Sequence, residues 1–259
     1  MHDNMVYNVA PRRRRMFHWT VNTMALYALG DLHLAFQAEK KMEMYGKVWR
    51  NHEKKIEKNC SRIITDDDTL VLVGDHSWGR KLSKCEKDLE FIADLPGRKI
   101  LIRGNHDMFW DAKKTQKLND KFEGRLFFLQ NNFYPYGEYA LVGTKGYCYE
   151  GFDTKEHAAM LVEREAKRLK ESFEAARSAG YEKFIMFLHY PPTSLWEKQA
   201  GDDSRFTLMA KAYGAEQIIY AHSHGKERFH DCYLGMRNGI KYSLVSGDYL
   251  DFVPQKILD

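Results

Sequence analysis

Five short segments of the chain place aspartate, asparagine or histidine directly after an apolar run. The side chains concerned are Asp31, His33, Asp75, Asn105, His106, Asp107, His189, His222 and His224. Carboxylate, carboxamide and imidazole groups are ligands for divalent ions such as manganese, iron and zinc. No cysteine belongs to the set, which argues against a closed structural zinc site. The pattern therefore predicts a metal centre built from oxygen and nitrogen ligands.

The number of candidate ligands indicates more than one ion. The groups that could ligate are Asp31, His33, Asp75, Asn105, His189, His222 and His224. They are too many for one ion, but they could fill two sites if one carboxylate is shared. Two ions about 3.5 to 4 Å apart are the arrangement that proteins use for phosphoryl transfer.

The segment QIIYAHSHGKE, residues 217–227, contains two of these histidines, His222 and His224. Residues two apart in a strand point to the same face, so both imidazoles are expected to share one space. The spacing alone fits a metal chelate, a general base with its helper, or a surface accident.

Apolar runs predict the strands that must position these groups. Three runs that end in glycine are about five residues long and apolar on both faces, as buried parallel strands are. The predicted strands are the runs before Gly30, before the glycine within 69–78 and before the glycine within 98–107, followed by 126–130, 139–143, 183–188, 216–220 and 241–246. Helical patterns cover 47–60, 84–94 and 153–179, the last opened by Asp153 and closed by Gly180. This order predicts an α/β sandwich with central sheets and helices on the outer faces.

The blocks GDLH, GD, GNHD, H and AHSH, taken in this order over residues 30–224, resemble the five signature blocks of the calcineurin-like metallophosphoesterase superfamily. GDHSW and the closing SGDYLDFVP also resemble a group of bacterial phosphohydrolases. The resemblance implies a sandwich of two mixed β-sheets flanked by helices. It also implies a phosphoesterase that uses two divalent ions, manganese first and iron or zinc as alternatives. Such an enzyme hydrolyses a phosphate monoester or diester by in-line attack of a hydroxide that bridges the ions.

The resemblance also assigns roles to the residues. One ion would be held by Asp31, His33, Asp75 and His224, and the other by Asp75, Asn105, His189 and His222. His106 would assist the leaving group, with Asp107 orienting it. Asn105 and His106 would contact the substrate, and Arg103 either touches a phosphate or braces the loop. The segments 35–50 and 144–155 are expected to cap the pocket and select the substrate.

Several neighbouring positions keep two interpretations. Ala221 stands where the family usually has glycine, and we expect its methyl group to fit. His76 is expected to support the site or pack rather than ligate. The residues after His189 could wall the pocket or form a rigid loop; they are Tyr190, Pro191, Pro192 and Trp196. Histidines outside the motifs are interpreted as surface or helix residues: His2, His18, His52, His157 and His230.

Charge and composition bound the remaining possibilities. Residues 1–23 hold four arginines and one aspartate, so most of the net charge of +4 lies there. We expect this segment to be a disordered basic extension and residues 24–259 to form the metallophosphoesterase domain. The remaining body is nearly neutral, which disfavours nucleic acid as a partner and favours a small phosphorylated substrate. No run is long and apolar enough for a membrane span, and four dispersed cysteines suggest a cytoplasmic setting.

Two rival functions follow from the same residues. An inactive interaction module on this scaffold should have lost ligands, whereas no ligand of the pattern is missing here. A nuclease on the same scaffold would need a basic stripe for the phosphate backbone, and the nearly neutral body offers none.

Overall fold

Two mixed β-sheets form the centre of the computed structural model, which describes residues 24–193 and 203–259. The basic segment 1–23 and Trp196 lie outside the described residues. The strands are β1 (Leu26–Leu29), β2 (Thr69–Val73), β3 (Arg98–Ile102), β4 (Leu126–Leu129), β5 (Phe133–Tyr136), β6 (Tyr139–Thr144), β7 (Lys183–Leu188), β8 (Ala215–Tyr220), β9 (Gly235–Arg237), β10 (Ile240–Leu244) and β11 (Gln255–Leu258). The helices are α1 (His52–Ile63), α2 (Leu82–Asp94), α3 (Thr115–Lys121), α4 (Lys155–Ser178), α5 (Arg205–Tyr213) and α6 (Lys226–Phe229).

The first sheet has the order β11-β1-β2-β3-β4, and the second has the order β5-β6-β7-β8-β10-β9. The inner pairs of both sheets are parallel, and antiparallel strands close the β1 edge of the first sheet and both edges of the second. The expected sandwich of two mixed sheets with flanking helices is therefore confirmed.

The strands that the sequence did not predict are β5, β9 and β11, and all three lie at sheet edges. An edge strand need not be apolar on both faces, so it lacks the signal of a buried strand. Pro135 interrupts β5, and proline is tolerated there because an edge strand does not need every ladder hydrogen bond.

Three layers of core follow from the alternation of side chains along the strands. Val71, Ile100, Ile185 and Ile219 belong to the core between the two sheets. Leu70, Leu72 and Leu101 point the other way, into the core that α1 and α2 cover. The second sheet packs its outer face under α4 and α5. Strands apolar on both faces are thus explained by a separate core on each face.

The predicted helices differ from the observed ones mainly at their ends. The pattern over 47–60 divides into a short 3-10 helix, Lys47–Trp49, and α1. The break comes at Asn51, whose φ of 51° is left-handed and incompatible with a continuous helix. In α4 the N-cap is Thr154 rather than Asp153, because the Thr154 hydroxyl accepts the N–H of His157.

The chemistry-bearing loops leave the carboxyl ends of β1, β2, β3, β7 and β8 and meet at one edge of the sandwich. At that edge a parallel bridge joins Gly30 to Ser246, and the Gly30 N–H donates to the Val245 carbonyl at 2.7 Å. The two sheets are therefore tied together where the site forms. Within residues 24–193 and 203–259, no helix combines the length and apolar composition that a membrane crossing requires.

Candidate metal centre

Two clusters of potential ligands lie at this edge. The first cluster consists of Asp31, His33 and His224, and the second cluster consists of Asp75, His189 and His222. Within each cluster the ligand atoms lie within 4.8 Å of one another. The Nε2 atoms of His33 and His224 are 3.4 Å apart, and His222 Nδ1 is 3.2 Å from His189 Nε2. Each cluster therefore presents two imidazole nitrogens and a carboxylate to a common point.

Asp75 connects the two clusters. Its Oδ2 atom lies 3.7 Å from His33 Nε2 in the first cluster, and its Oδ1 atom lies 3.4 Å from His189 Nε2 in the second. Asn105 joins the second cluster, because its Oδ1 atom is 2.8 Å from His189 Nε2. The structure thus brings together all seven ligand candidates that the sequence indicated.

The backbone at the site is held in conformations that L-residues adopt rarely. Asp31, His33, Asp75 and His222 have φ values of 54°, 44°, 52° and 72°. Such left-handed residues persist only where their surroundings fix them, and they concentrate at functional sites. Here the strained turns aim four side chains from the ends of three strands, β1, β2 and β8, into one space.

Glycine before the ligands is required by close packing. A Cβ atom on Gly74 would overlap with His189 Nδ1, and one on Gly104 would overlap with the backbone nitrogen of Asp75. A Cβ on Gly30 would lie 2.5 Å from the Cβ of Ala221. The methyl group of Ala221 therefore fits because Gly30 opposite it has no side chain.

The charges of the clusters are coupled. Although burial alone would raise the pKa of Asp31, His224 lowers it below its usual range. Burial likewise works against the charged form of His224, but Asp31 raises the pKa of His224 to about 10. In the second cluster, Asp75 outweighs burial and raises the pKa of His189 to about 9. Each cluster therefore holds one imidazolium in the absence of metal.

The pKa values of the other two cluster histidines, His33 and His222, are lowered. Burial lowers the pKa of His33 to about 4, and burial also lowers the pKa of His222. Both rings are therefore neutral at neutral pH, which is the form that ligates a metal.

The Asp107 carboxylate is engaged by groups other than the His106 ring, and its expected role in orienting His106 stays a prediction. Its carboxylate accepts the backbone N–H groups of Gly104, Asp75 and His76 at 2.7, 3.0 and 2.8 Å. It also contacts His76 Nδ1 at 2.8 Å. With these partners, Asp107 fastens the loop after β3 to the loop after β2. His76, fully buried, supports this contact and is not a member of either cluster.

His106 lies over the centre with an accessible ring. Its side chain is 40% exposed, and its Nε2 atom is 3.9 Å from Asp75 Oδ2. The His106 N–H donates to Asp75 Oδ1 at 2.8 Å. The ring of Trp78 contacts the ring of His106, with centroids 4.2 Å apart. Trp78 also stacks on the ring of His33, with centroids 5.0 Å apart. The His106 ring is therefore held by Trp78.

Two acidic residues that the sequence analysis did not single out contact cluster histidines. Asp248 Oδ1 is 2.8 Å from His224 Nδ1, and Glu150 Oε1 is 3.0 Å from His222 Nε2. Asp248 had a signal, since Gly247-Asp248 follows an apolar strand as Gly-Asp does after β1 and β2. Glu150 had none.

The segments expected to cap the pocket both reach the clusters. Glu150 belongs to 144–155, and Trp49, from 35–50, contacts both His33 and His224 with ring centroids 5.5 Å apart. His52, interpreted as a surface or helix residue, is the first residue of α1 but is buried. Its Nε2 atom lies 3.3 Å from the His33 carbonyl, so it supports the backbone of a ligand.

Tyr190, the residue after His189, lies against the second cluster. The Tyr190 ring contacts that of His222 with centroids 4.1 Å apart. Pro191 and Pro192 follow in a buried loop. Arg103 is half-buried at the end of β3, next to the loop that carries Asn105.

Comparisons with known proteins agree with this geometry. The family model of the calcineurin-like phosphoesterases matches residues 24–226. The gene 66 protein of Mycobacterium phage L5 is 32% identical over 77 residues. That match covers 30% of this chain and 37% of the phage protein, so it spans little more than a third of that relative.

Two solved structures share the fold. The phosphopantetheinyl hydrolase PptH of Mycobacterium tuberculosis superposes with a TM-score of 0.52 at 14% identity, covering 90% of this chain and 95% of that one. The protein TT1561 of Thermus thermophilus superposes with a TM-score of 0.53 at 12% identity, covering 91% of this chain and 98% of that one.

Proposed function

Since the chain belongs to the calcineurin-like phosphoesterase family, we propose that it is a dinuclear metal-dependent hydrolase of a phosphate monoester or diester. The observation that carries this proposal is the pair of nitrogen and oxygen clusters that meet at Asp75. Membership of the family supports hydrolysis of a phosphoester. The two-ion chemistry, manganese as the metal and the small phosphorylated substrate belong to the proposal.

The side chains of the clusters fit divalent ions. Asp31 Oδ2 accepts the N–H of His222, but Asp31 Oδ1 is buried without a hydrogen-bond partner. A buried carboxylate oxygen left in this way is costly unless a cation occupies the space before it. The facing imidazole nitrogens are 3.4 Å apart in the first cluster and 3.2 Å apart in the second, so a single ion could bind both nitrogens of a cluster.

We assign the ligands accordingly. Asp31, His33, Asp75 and His224 would hold one ion, and Asp75, Asn105, His189 and His222 the other. His222 and His224 share a face, yet each belongs to a different cluster. Removing the His224 imidazole should therefore deplete the ion of the first cluster, and removing the His222 imidazole should deplete the ion of the second.

The chain supplies positioning and a proton. When bound, a pair of divalent ions activates water and neutralises the charge that develops on the phosphoryl oxygens. Asn105 donates its carboxamide N–H groups toward the same oxygens, because its Oδ1 faces His189. The accessible His106 ring, whose Nε2 atom is 3.9 Å from Asp75 Oδ2, would carry a proton for the leaving-group oxygen. Glu150 and Asp248 orient the cluster histidines.

Turnover of para-nitrophenyl phosphate and its bis-ester, with manganese added, tests this proposal. We expect hydrolysis of at least one of them. His106→Asn should lower kcat about 100-fold or more while leaving the bound manganese unchanged, because the ring belongs to neither cluster. Absence of turnover on both esters by protein shown to contain manganese would contradict the proposal and favour an inactive module.

The setting of the protein is also a proposal. All four cysteines, Cys60, Cys85, Cys148 and Cys232, are free and buried. Free thiols are typical of a reducing compartment, and we propose a cytoplasmic one.

A further inference from the structure

Lys145 is a buried cation beside the second cluster. It follows β6 and is 8% exposed, and its carbonyl accepts the N–H groups of His189 and Tyr190 at 3.1 and 2.9 Å. Across residues 24–193 and 203–259, its ammonium makes no hydrogen bond or ion pair. Its neighbours are instead the Tyr190 and Tyr147 rings, with centroids 4.8 and 5.6 Å away.

Arg103 is a second cation at the same place. It follows β3, and its Nε atom is buried without a hydrogen-bond partner. The ends of β3 and β6 face each other, since a Cβ on Gly143 would lie 3.0 Å from Ile102 Cδ1. In the described part of the chain, the Arg103 guanidinium forms no ion pair.

Glu165, a carboxylate that acts on both cations, is already engaged. Glu165 is fully buried and accepts the hydroxyl of Thr144 at 2.7 Å. It also pairs with Arg168 at 2.6 Å and Arg164 at 3.3 Å. Burial lowers the pKa of Lys145 to about 8; Glu165 opposes this shift, and the charge of Arg103 adds to it. Asp107 also acts on Arg103, and Asp75 acts on Lys145, but among the described residues neither carboxylate forms an ion pair with these cations.

Lys145, at 8% exposed, and the half-buried Arg103 carry like charges that repel each other, and a poorly solvated cation without an ion pair is costly. Such an arrangement persists where an anion completes it. The carboxylates of the metal centre do not neutralise this charge, since Lys145 forms no ion pair with Asp75 among the described residues. The Tyr190 ring links the two places, because it contacts both the Lys145 ammonium and the His222 ring. The cations therefore lie beside the metal centre but outside its ligand set.

We propose that Arg103 and Lys145 form a subsite for a second anionic group of the substrate, distinct from the phosphoryl group that is hydrolysed. The ligand class is a phosphoester that carries a further carboxylate or phosphate a few bonds away. This inference rests on the proposed function and deepens it, because it defines the substrate as at least doubly anionic.

Binding of a matched pair of phosphonates tests the subsite. Propylphosphonate and 3-phosphonopropionate differ only by a terminal methyl group or carboxylate, and neither has an ester bond to hydrolyse. Titration calorimetry on the manganese-loaded full chain should show the carboxylate compound binding about tenfold tighter or more. Lys145→Met and Arg103→Met should each remove most of this preference.

Lys99 offers a matched control. It is 7% exposed, but its ammonium donates to the Leu95 carbonyl at 2.6 Å, at the opposite end of β3. Lys99→Met should keep the preference and lower the melting temperature, because a buried carbonyl loses its donor. Lys145→Met should not lower the melting temperature, because it removes an uncompensated charge.

Four results would overturn the subsite. They are no preference in the wild type, a preference that survives in Lys145→Met, equal weakening of both phosphonates, and no binding of 3-phosphonopropionate. A destabilised Lys145→Met would instead make the lysine a packing residue, which also contradicts the proposal. None of these results depends on turnover of an ester, so failure of the proposed function is seen separately.

Discussion

Asp248 and Glu150 set the orientation of two cluster histidines from outside the clusters. Each accepts the N–H of the ring nitrogen that faces away from the cluster, at 2.8 Å for His224 and 3.0 Å for His222. Such partners fix the tautomer and raise the basicity of a ligand. Glu150 lies in a loop and is distant in sequence from His222, so no pattern of neighbouring residues indicates their contact. For this reason Glu150 could not be predicted.

Asp248→Asn should weaken manganese binding at one of the two sites by about 10- to 100-fold, because the amide retains the shape but not the charge. Titration calorimetry measures the affinity. The matched control is Asp251→Asn in the same loop, whose side chain is 71% exposed and pairs with Lys55. Equal affinities in the two variants would show that Asp248 does not support His224.

Metal affinity should fall as the pH falls. The pKa of His189 is raised to about 9 and that of His224 to about 10, so both rings hold protons at neutral pH in the metal-free protein. Each displaced proton makes binding about tenfold weaker per unit of pH below these values. Proton release at pH 7, measured by calorimetry in buffers of different ionisation enthalpy, should approach two protons per chain. Binding without proton release would contradict the charge assignment.

The same shifts act on the metal-free fold with a definite sign. A histidine whose pKa is raised by folding stabilises the protein below its unfolded pKa, and this contribution is lost as the pH rises through the folded pKa. The stability contributed by His189 and His224 is therefore present at pH 6 and declines through about 9 and about 10.

Strand ends, rather than whole elements, position the site. The sequence predicted the parallel strands because they are apolar on both faces, and it predicted the ligands because they follow these apolar runs. The edge strands β5, β9 and β11 were not predicted, because they lack the pattern of a strand that is apolar on both faces. The contacts of Asp107 with the amides after β2 could not be predicted, because these groups come close only through the packing of two neighbouring loops.

Gly30 and Ala221 form a complementary pair between the ends of β1 and β8. Gly30→Ala should destabilise the protein by about 1 to 3 kcal/mol, because the new methyl group would lie 2.5 Å from the Ala221 Cβ. Adding Ala221→Gly should recover part of the loss, and only part, because the Val73 carbonyl is also 3.2 Å from the new atom. Urea unfolding of the two single variants and the double variant measures the coupling. If the changes in the free energy of unfolding of the two single variants simply add in the double variant, the contact between Gly30 and Ala221 is contradicted.

At the scale of the whole molecule, each cluster takes ligands from both sheets. Asp31 and His33 follow β1 of the first sheet, whereas His224 follows β8 of the second. Asp75 follows β2, whereas His189 and His222 follow β7 and β8. Neither sheet alone contains a complete cluster.

Manganese should therefore raise the melting temperature of the chain. A ligand present at 100 times its dissociation constant stabilises the folded state by about 2.7 kcal/mol, which is several degrees for a protein of this size. Scanning calorimetry with manganese and with a chelator measures the shift. Asp31→Asn should reduce the shift, whereas Asp251→Asn should not. An unchanged melting temperature would mean that the clusters do not hold the ion in the folded chain.

The placement of each cluster across the sheet interface has a mechanical consequence. Bound ions would act as cross-links between two halves of the sandwich, in the way that a disulfide joins distant segments, but reversibly and under the control of the surroundings. Force or denaturant that separates the sheets would have to release both ions together. The opening of this interface would then report the free metal concentration around the protein, independently of any catalytic turnover.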